Sequence, residues 1–292
     1  MKNLIFICCI LIILFKTGNV LSDNNIFNVN NVEISKEISS NKEKLANQAF
    51  KKGFKELINR LLLEEDYKKI STTNLDQIKK LISYYQIKNK EKEENNNYIR
   101  FNIFFDKERI HNFFYQKNIL YSDIINTDMI IFPLLISDKQ YFIYTKNYFY
   151  ENWNKENSKD LIQYTLPAES IESIQKIKLN RENINKINIE DFFKEYNLEN
   201  MAFATIKINQ NIAKVFLNTK IAGKKLNKNL LITNPGLNEE EFNNIIISKI
   251  KNAIRDLIKS QNLIDVRIPS FLNAEIKLNN KSNLVEFNNR LK

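Results

Sequence analysis

The stretch Thr127–Asn154, TDMIIFPLLISDKQYFIYTKNYFYENWN, decides how this chain is divided. Met129 to Leu135 is a continuous apolar run rather than an alternating one, which predicts a strand buried on both faces. Pro133 has no N–H to give to a ladder, so it is expected near the end of that strand or on a sheet edge. A short turn leads to a returning strand, Gln140 to Tyr144. From Asn147 the pattern predicts a helix carrying Tyr148, Phe149 and the only tryptophan, Trp153, and further on Leu161 and Ile162. Such rings combine an apolar body with a polar tip, so the cluster reads either as a buried patch with satisfied tips or as a place where a sugar or peptide binds. The residues before this stretch read as one small α/β unit, and those after it as another.

Working back towards the N-terminus, Phe27 to Ile34 has a strand-like alternation. Ser40 and Glu43 are spaced as a capping box ahead of a long amphipathic helix. Its stripe is Leu45, Ala49, Phe50, Phe54, Leu57, Ile58, Leu61 and Leu62. Gly53 lies inside that helix, where glycine costs about 1 kcal/mol relative to alanine, so close packing against a sheet is expected there. A shorter helix is predicted over Asn74–Ile82, then paired strands over Ser83–Lys88 and Tyr98–Phe105 around a charged loop, Asn89–Asn97. Asp106 is placed to cap a helix over Lys107–Asn118. That helix holds the only histidine, His111, which has neither a cysteine nor a second histidine with which to share a metal and reads as a helix-face residue.

Towards the C-terminus, Leu166-Pro167 marks a break, and short helices are predicted over Ala168–Ile177, Arg181–Lys186 and Ile189–Tyr196. From Met201 the period becomes two, with Ala202, Ala204, Ile206 and Ile208 on one face. Turns at Asn209-Gln210 and Ala222-Gly223 join three strands into an antiparallel meander ending near Ile232. Asn238 and Glu241 form a second capping box, and the helix behind it runs to about Ser260 on a stripe from Phe242 to Ile258. Short strands over Leu263–Ile268 and Ala274–Leu278 and a terminal helix to Leu291 complete the reading.

The chain has 292 residues, room for two domains at about 150 residues each. Its 44 basic and 34 acidic residues give a net charge of +10, but the excess is dispersed through a chain rich in Lys, Asn and Ile. No basic run interleaves with aromatics as a stacking platform for nucleic acid requires, and no nucleic-acid partner is expected. Lys2, the apolar run Leu4–Phe15 and the sequence Val20-Leu21-Ser22 have the layout of a secretory signal with cleavage after Ser22. An apolar run of about 12 residues is short of the roughly 20 that span a bilayer. Cys8 and Cys9 both lie inside it, so no disulfide framework is expected in the exported chain.

Taken in order, these features resemble a family of exported bacterial proteins known as domain-of-unknown-function family 2066. The features are the Ala46–Leu63 helix with Asn59-Arg60-Leu61, the Tyr84-Tyr85-Gln86-Ile87 strand, Phe104-Phe105-Asp106, and the Ile131-Phe132-Pro133-Leu134 strand ahead of Trp153. Glu195-Tyr196-Asn197 before the meander also matches. The chain departs from the family pattern at Leu61-Leu62-Leu63-Glu64-Glu65 and stops at Lys292, where many members continue. The segment Thr127–Asn262 is more loosely similar to the α/β module at the N-terminus of periplasmic TolB. The resemblance implies export, and it brings no established activity and no catalytic residues to carry over.

The expected fold class is therefore α+β: two small mixed α/β units, the second holding a three-strand meander packed by a long helix. The expected division is a signal over 1–22, a first unit over 23–124, a TolB-like unit over 125–265 and a strand–helix extension over 266–292. One histidine, four glycines and no cysteine beyond the leader close the triad, thiol, zinc and phosphate-loop routes. No catalytic, cofactor-binding or metal-binding residue is assigned. The function expected is a noncatalytic periplasmic binding or assembly factor that contacts another envelope protein, of undetermined oligomeric state. One alternative is a glycan- or lipid-binding protein using Tyr148, Tyr150 and Trp153. The other is a hydrolase using Glu64, Glu65 and Asp66 or Asp191 and Glu195.

Overall fold

A computed structural model of the chain describes residues 25–36, 41–88, 97–124, 126–155 and 161–268. The leader and its cleavage position, the Ser40 cap, most of the Asn89–Asn97 loop, and the elements expected over 274–291 lie outside these residues. No helix among the described residues is long and apolar enough to cross a membrane. The class is α+β, with two principal sheets.

The first unit runs β1 (Asn28–Ser35), α1 (Lys42–Leu61), α2 (Glu64–Ile70), α3 (Leu75–Leu81), β2 (Ile82–Lys88), β3 (Tyr98–Phe105) and α4 (Lys107–Lys117). The strands form an antiparallel sheet in the order β1-β3-β2. Helix α1 lays its stripe from Leu45 to Leu61 on that sheet, and Gly53 allows the approach. A Cβ at Gly53 would fall 2.5 Å from Ile103 Cδ1 on β3, so the contact expected from the sequence is present. Asn41, rather than Ser40, caps the helix, its side chain accepting from the amides of Glu43 and Lys44. Arg60 donates to the carbonyls of Ile26 and Asn28 at 2.9 and 2.8 Å, tying the helix end to the start of β1. His111 is half-buried, with Nε2 2.9 Å from the Tyr121 hydroxyl and its ring edge-on to Phe27.

After β4 (Tyr121–Ser122) the second unit runs β5 (Thr127–Ser137), β6 (Gln140–Phe142), α5 (Tyr148–Asn152), β7 (Ile162–Thr165), α6 (Ile171–Leu179), a 3-10 segment (Arg181–Lys186) and α7 (Ile189–Phe192). It continues through β8 (Met201–Asn209), β9 (Ile212–Ile221), β10 (Lys224–Thr233) and α8 (Glu239–Ser260) to β11 (Leu263–Ile264). The sheet order is β10-β9-β8-β5-β6, with β7 also on β5. The meander expected from the period-two pattern is β8-β9-β10, and β5 joins it in parallel with β8. The continuous apolar run of β5 is explained by two cores. Met129 and Ile131 face α8, while Ile130, Phe132, Leu134 and Ile136 face α6, the 3-10 segment and α7.

Two expectations are corrected. Pro133 lies inside the central strand, paired in register with Ala204, rather than at an end or an edge. On its other side β5 meets β7 only over Thr127–Ile130 and β6 only over Leu135–Ser137, so residues 131–134 have no strand neighbour there. The Pro133 carbonyl points into that gap, and so does its ring nitrogen, because both in-plane groups of a strand residue share a side. The absent donor thus falls where no ladder exists. The second correction concerns the helix expected from Asn147 through Ile162. It is a five-residue turn, α5, and Ile162 begins the parallel strand β7.

The chain then returns to the first unit. Strand β11 pairs antiparallel with β4, and Ile264 and Val266 pack against the first core, although the sequence places 263–265 with the second unit and 266 with an extension. Helix α8 spans the junction. Lys259, only 2% exposed, donates to the carbonyls of Asn59 and Leu62 at 2.7 and 2.6 Å, at the C-terminal end of α1. One turn earlier, Asp256 Oδ1 accepts from the Glu64 amide at 3.2 Å, the first residue of α2, whose own cap position is held by Leu63 with no side-chain bond. A cation meets the negative end of one helix and an anion meets the positive end of the next.

Candidate functional site

Asn147 positions the aromatic segment. It is fully buried, and its Nδ2 lies 2.8, 2.9 and 3.1 Å from the carbonyls of Pro133, Phe142 and Ile143. Its Oδ1 accepts from the amides of Phe149 and Tyr150, starting α5. One side chain therefore fills the gap beside Pro133, ends β6 and caps the aromatic helix.

The three rings expected to share a site are parted by this geometry. Tyr148 leans towards α8, its hydroxyl donating to Asn244 Oδ1 at 2.9 Å. Trp153 belongs to the same side but is 0% exposed, edge-on to Tyr164. The Lys251 ammonium lies 5.9 Å from the Trp153 ring and 5.6 Å from Tyr164. Tyr150 belongs to the opposite core: its hydroxyl donates to the Pro167 carbonyl at 2.6 Å and its ring meets Tyr144 edge-on. Burial first, and then Tyr144, Glu169 and Tyr196, hold its phenol above the usual range. A cleft of about 310 Å³ does lie between α5 and α8, lined by Tyr148, Asn152, Glu240 and Lys251, with Trp153 at its wall. It presents polar groups and one tyrosine edge rather than a stacking floor.

Of the carboxylates proposed for acid–base work, Glu64, Glu65, Asp66 and Asp191 are each engaged by a neighbouring lysine or amide. Glu64 pairs with Lys68 at 2.9 Å, and that hydrogen bond, outweighing partial burial, holds its carboxyl below the usual range. Lys69 meets both Glu65 and Asp66. Asp191 Oδ2 accepts from the Asn188 side chain at 2.8 Å. Among the described residues Asp256 is the carboxyl pushed upward, by burial, against the Glu64 amide, Lys259 and Lys228. Its position at the head of α2 accounts for it as a helix cap. Among the described residues no cluster of His, Cys, Asp and Glu could hold a metal ion.

What the sequence reading missed is the far edge of the larger sheet. Helices α6 and α7 and the 3-10 segment cover one face over β5 and the near part of β8 and, through Ile187 and Glu190, reach Asn218 and Lys220 on β9 and Lys225 on β10, but leave the far end of the hairpin around Lys214, Phe216 and Leu231 open. A groove of about 430 Å³ opens there, lined by Asn185, Thr205, Lys207, Lys214, Phe216 and Leu231. Leu231 is 68% exposed, and the Thr205 hydroxyl on the floor, 1% exposed, has no hydrogen-bond partner. A second groove of about 440 Å³ lies on the other side of β10, lined by Glu64, Lys228, Ile232, Ile245, Lys249 and Ala253. The signal for this surface was the Leu230-Leu231 doublet. In an alternating strand, two adjacent leucines point to opposite faces, and Leu230 already takes the α8 side.

The sequence matches no family model and no curated protein. One solved structure, the crystal structure of lipoprotein GNA1162 from Neisseria meningitidis, aligns over 44% of this chain and 96% of its own at 14% identity. Its TM-score is 0.27, a likeness that carries no argument about the fold or function of this chain.

Proposed function

We propose that the chain is an exported, noncatalytic binding or assembly protein that contacts another envelope protein through its second unit. The observation that carries this reading is the uncovered outer part of the six-stranded sheet, where Leu231 is exposed between two grooves. Leu231 does not stand alone there: Phe216 and Leu230 line the same groove, and a contiguous apolar patch with a polar rim is a feature of interaction surfaces. Export is supported by the leader-like segment, and the kinship proposed with family 2066 and with the TolB module is supported by the order of motifs. A ligand site on Tyr148, Tyr150 and Trp153 is the weaker reading, because Trp153 offers no ring face and Tyr150 points into the opposite core.

The test is crosslinking in intact envelopes with a photoreactive residue at Leu231 and, separately, at Tyr148. A stoichiometric protein adduct from Leu231 and none from Tyr148 is expected. Adducts from neither position would remove the proposal, and a glycan or lipid adduct at Tyr148 would replace it.

A further inference from the structure

The outer edge of β10 is a ten-residue strand with no strand beyond it among the described residues. The hairpin determines which of its backbone groups face outward. Ala222 and Gly223 both have positive φ, 48° and 78°, so the β9–β10 turn is a two-residue loop of the kind whose flanking pair, Ile221 and Lys224, exchanges hydrogen bonds. Every second pair then does the same, and the Asn234 amide donating to the Asn211 carbonyl at 2.8 Å continues that parity past the strand end. The amides and carbonyls of Lys225, Asn227, Asn229 and Leu231 consequently point away from β9. Among the described residues they form a regular row of donors and acceptors with no strand partner.

Both grooves border this row. A strand laid along it would send alternate side chains to the two sides of the sheet: one set beside Leu231 at the mouth of the first groove, the other beside Leu230 and Ile232 at the mouth of the second. The rims are basic. Lys207 and Lys214 flank the first groove and Lys228 and Lys249 the second, and none of the four forms an ion pair with a described residue. The acids nearby are engaged: Glu190 with Lys220 and Lys225 at 3.3 and 3.1 Å, and Glu64 with Lys68. A second copy of this chain would bring the same positive face against itself.

We infer that β10 accepts an extended segment of a partner protein as an added antiparallel or parallel strand, and that the segment alternates acidic with apolar residues, the acidic set facing Lys228 and Lys249 and the apolar set facing Leu231. This rests on the proposed function and names the partner's chemistry and the place where it docks.

The probe is a labelled ten-residue peptide alternating glutamate and valine, added to the full chain beside a lysine–valine control, with binding read by anisotropy and amide exchange. In the free chain the amides of Asn227, Asn229 and Leu231 are expected to exchange freely. The acidic peptide is expected to bind at least about tenfold more tightly than the basic one and to protect those amides. Asn229→Pro removes an outward donor without touching the β9 ladder, and should weaken binding about tenfold, with Asn229→Ala retaining it. Trp153 emission checks that each variant is folded, and Lys228→Glu with Lys249→Glu offers an independent second variant expected to weaken the acidic peptide alone. Slow exchange of the edge amides in the free chain, acidic binding without protection, equal binding by Asn229→Pro, concentration-dependent self-association through β10, or no binding at all would each overturn the inference. A protein adduct at Leu231 with no protection of β10 would overturn strand addition and leave the proposed function standing. The absence of any adduct would remove both.

Discussion

The ammonium of Lys259 lies 2.6 Å from the carbonyl oxygen of Leu62, a contact between residues 197 positions apart. It joins α8 of the second unit to the end of α1 in the first, and with the Asp256 cap on α2 it fixes the bend at Leu62-Leu63 from outside.

Replacing Lys259 by Met keeps the stem length and takes this donor from the buried Leu62 carbonyl and the part-buried Asn59 carbonyl. A loss of about 2–4 kcal/mol is expected, from about 1–3 kcal/mol for each unsatisfied group with partial relaxation. Urea unfolding followed by far-UV circular dichroism and by Trp153 emission checks it. The two probes should coincide in the parent chain, and a variant within about 0.5 kcal/mol of the parent would show that the contact holds nothing together.

Asn147 serves three carbonyls with its amide and two backbone amides with its oxygen. Asn147→Asp keeps the shape but turns the donor side into an acceptor, so a charge faces three carbonyls in a buried setting. Destabilisation of roughly 3 kcal/mol or more is expected, exceeding that of Asn147→Leu, which removes bonds without adding a charge. Thermal unfolding of both variants tests the order, and the reverse ranking would refute the account.

Gly53→Ala gains helix propensity of about 1 kcal/mol but forces Ile103 Cδ1 aside in a full core, and a net loss of about 1 kcal/mol is expected. Ile103→Val alone should cost about 0.5–1.5 kcal/mol, the value of one buried methyl group. Combined, the two should be less damaging than their sum, because the valine lacks the atom that collides. Additive effects in a double-mutant cycle would mean that the backbone, and not Ile103, absorbs the change.

His111 is held below its ordinary value of 6.5 by burial first, then by Lys107, with Glu108 opposing. Folding favours the neutral ring, which shares a hydrogen bond with the Tyr121 hydroxyl beside Asp123. The stability this contributes is complete above the unfolded value of 6.5 and is lost as pH falls below it towards the folded value. His111→Gln should flatten that part of the profile relative to the parent chain, as read by urea midpoints between about pH 7.5 and 5.5. Asp256 acts with the opposite sign, since its raised folded value makes its contribution fall as pH rises from 3.8. Parallel profiles for parent and variant would exclude His111 as the source.

Elements whose signal is local were legible from the residues. The continuous run of β5, the period-two meander, the stripe and Asn238 cap of α8, and the need for glycine at position 53 all appear where the pattern places them. Features set by distant partners were not. Pro133 is tolerated in mid-strand because Asn147, fourteen residues on, replaces the missing neighbour. Trp153 drew attention as a rare residue, yet a large apolar ring is as well suited to a core as to a site, and α8 covers it from the far end of the unit. The burial of Lys259 cannot be read from its neighbours in a polar helix end. At the candidate surface, only the Leu230-Leu231 doublet spoke locally. The shortfall of helix cover over β9 and β10 is a property of the assembled layers.

The short β4–β11 pairing sets Tyr121 and Ser122 beside Ile264 and Leu263, so the chain leaves the first unit and comes back to it at one point. Closing so long a loop in an unfolded chain carries an entropy cost that grows with the logarithm of its length. If the second unit assembles first, its own fold has already drawn those two points together, and the ladder then forms between near neighbours. On that route the meander and α8 mature before the first core receives Ile264 and Val266, and the smaller unit is sealed by the larger one.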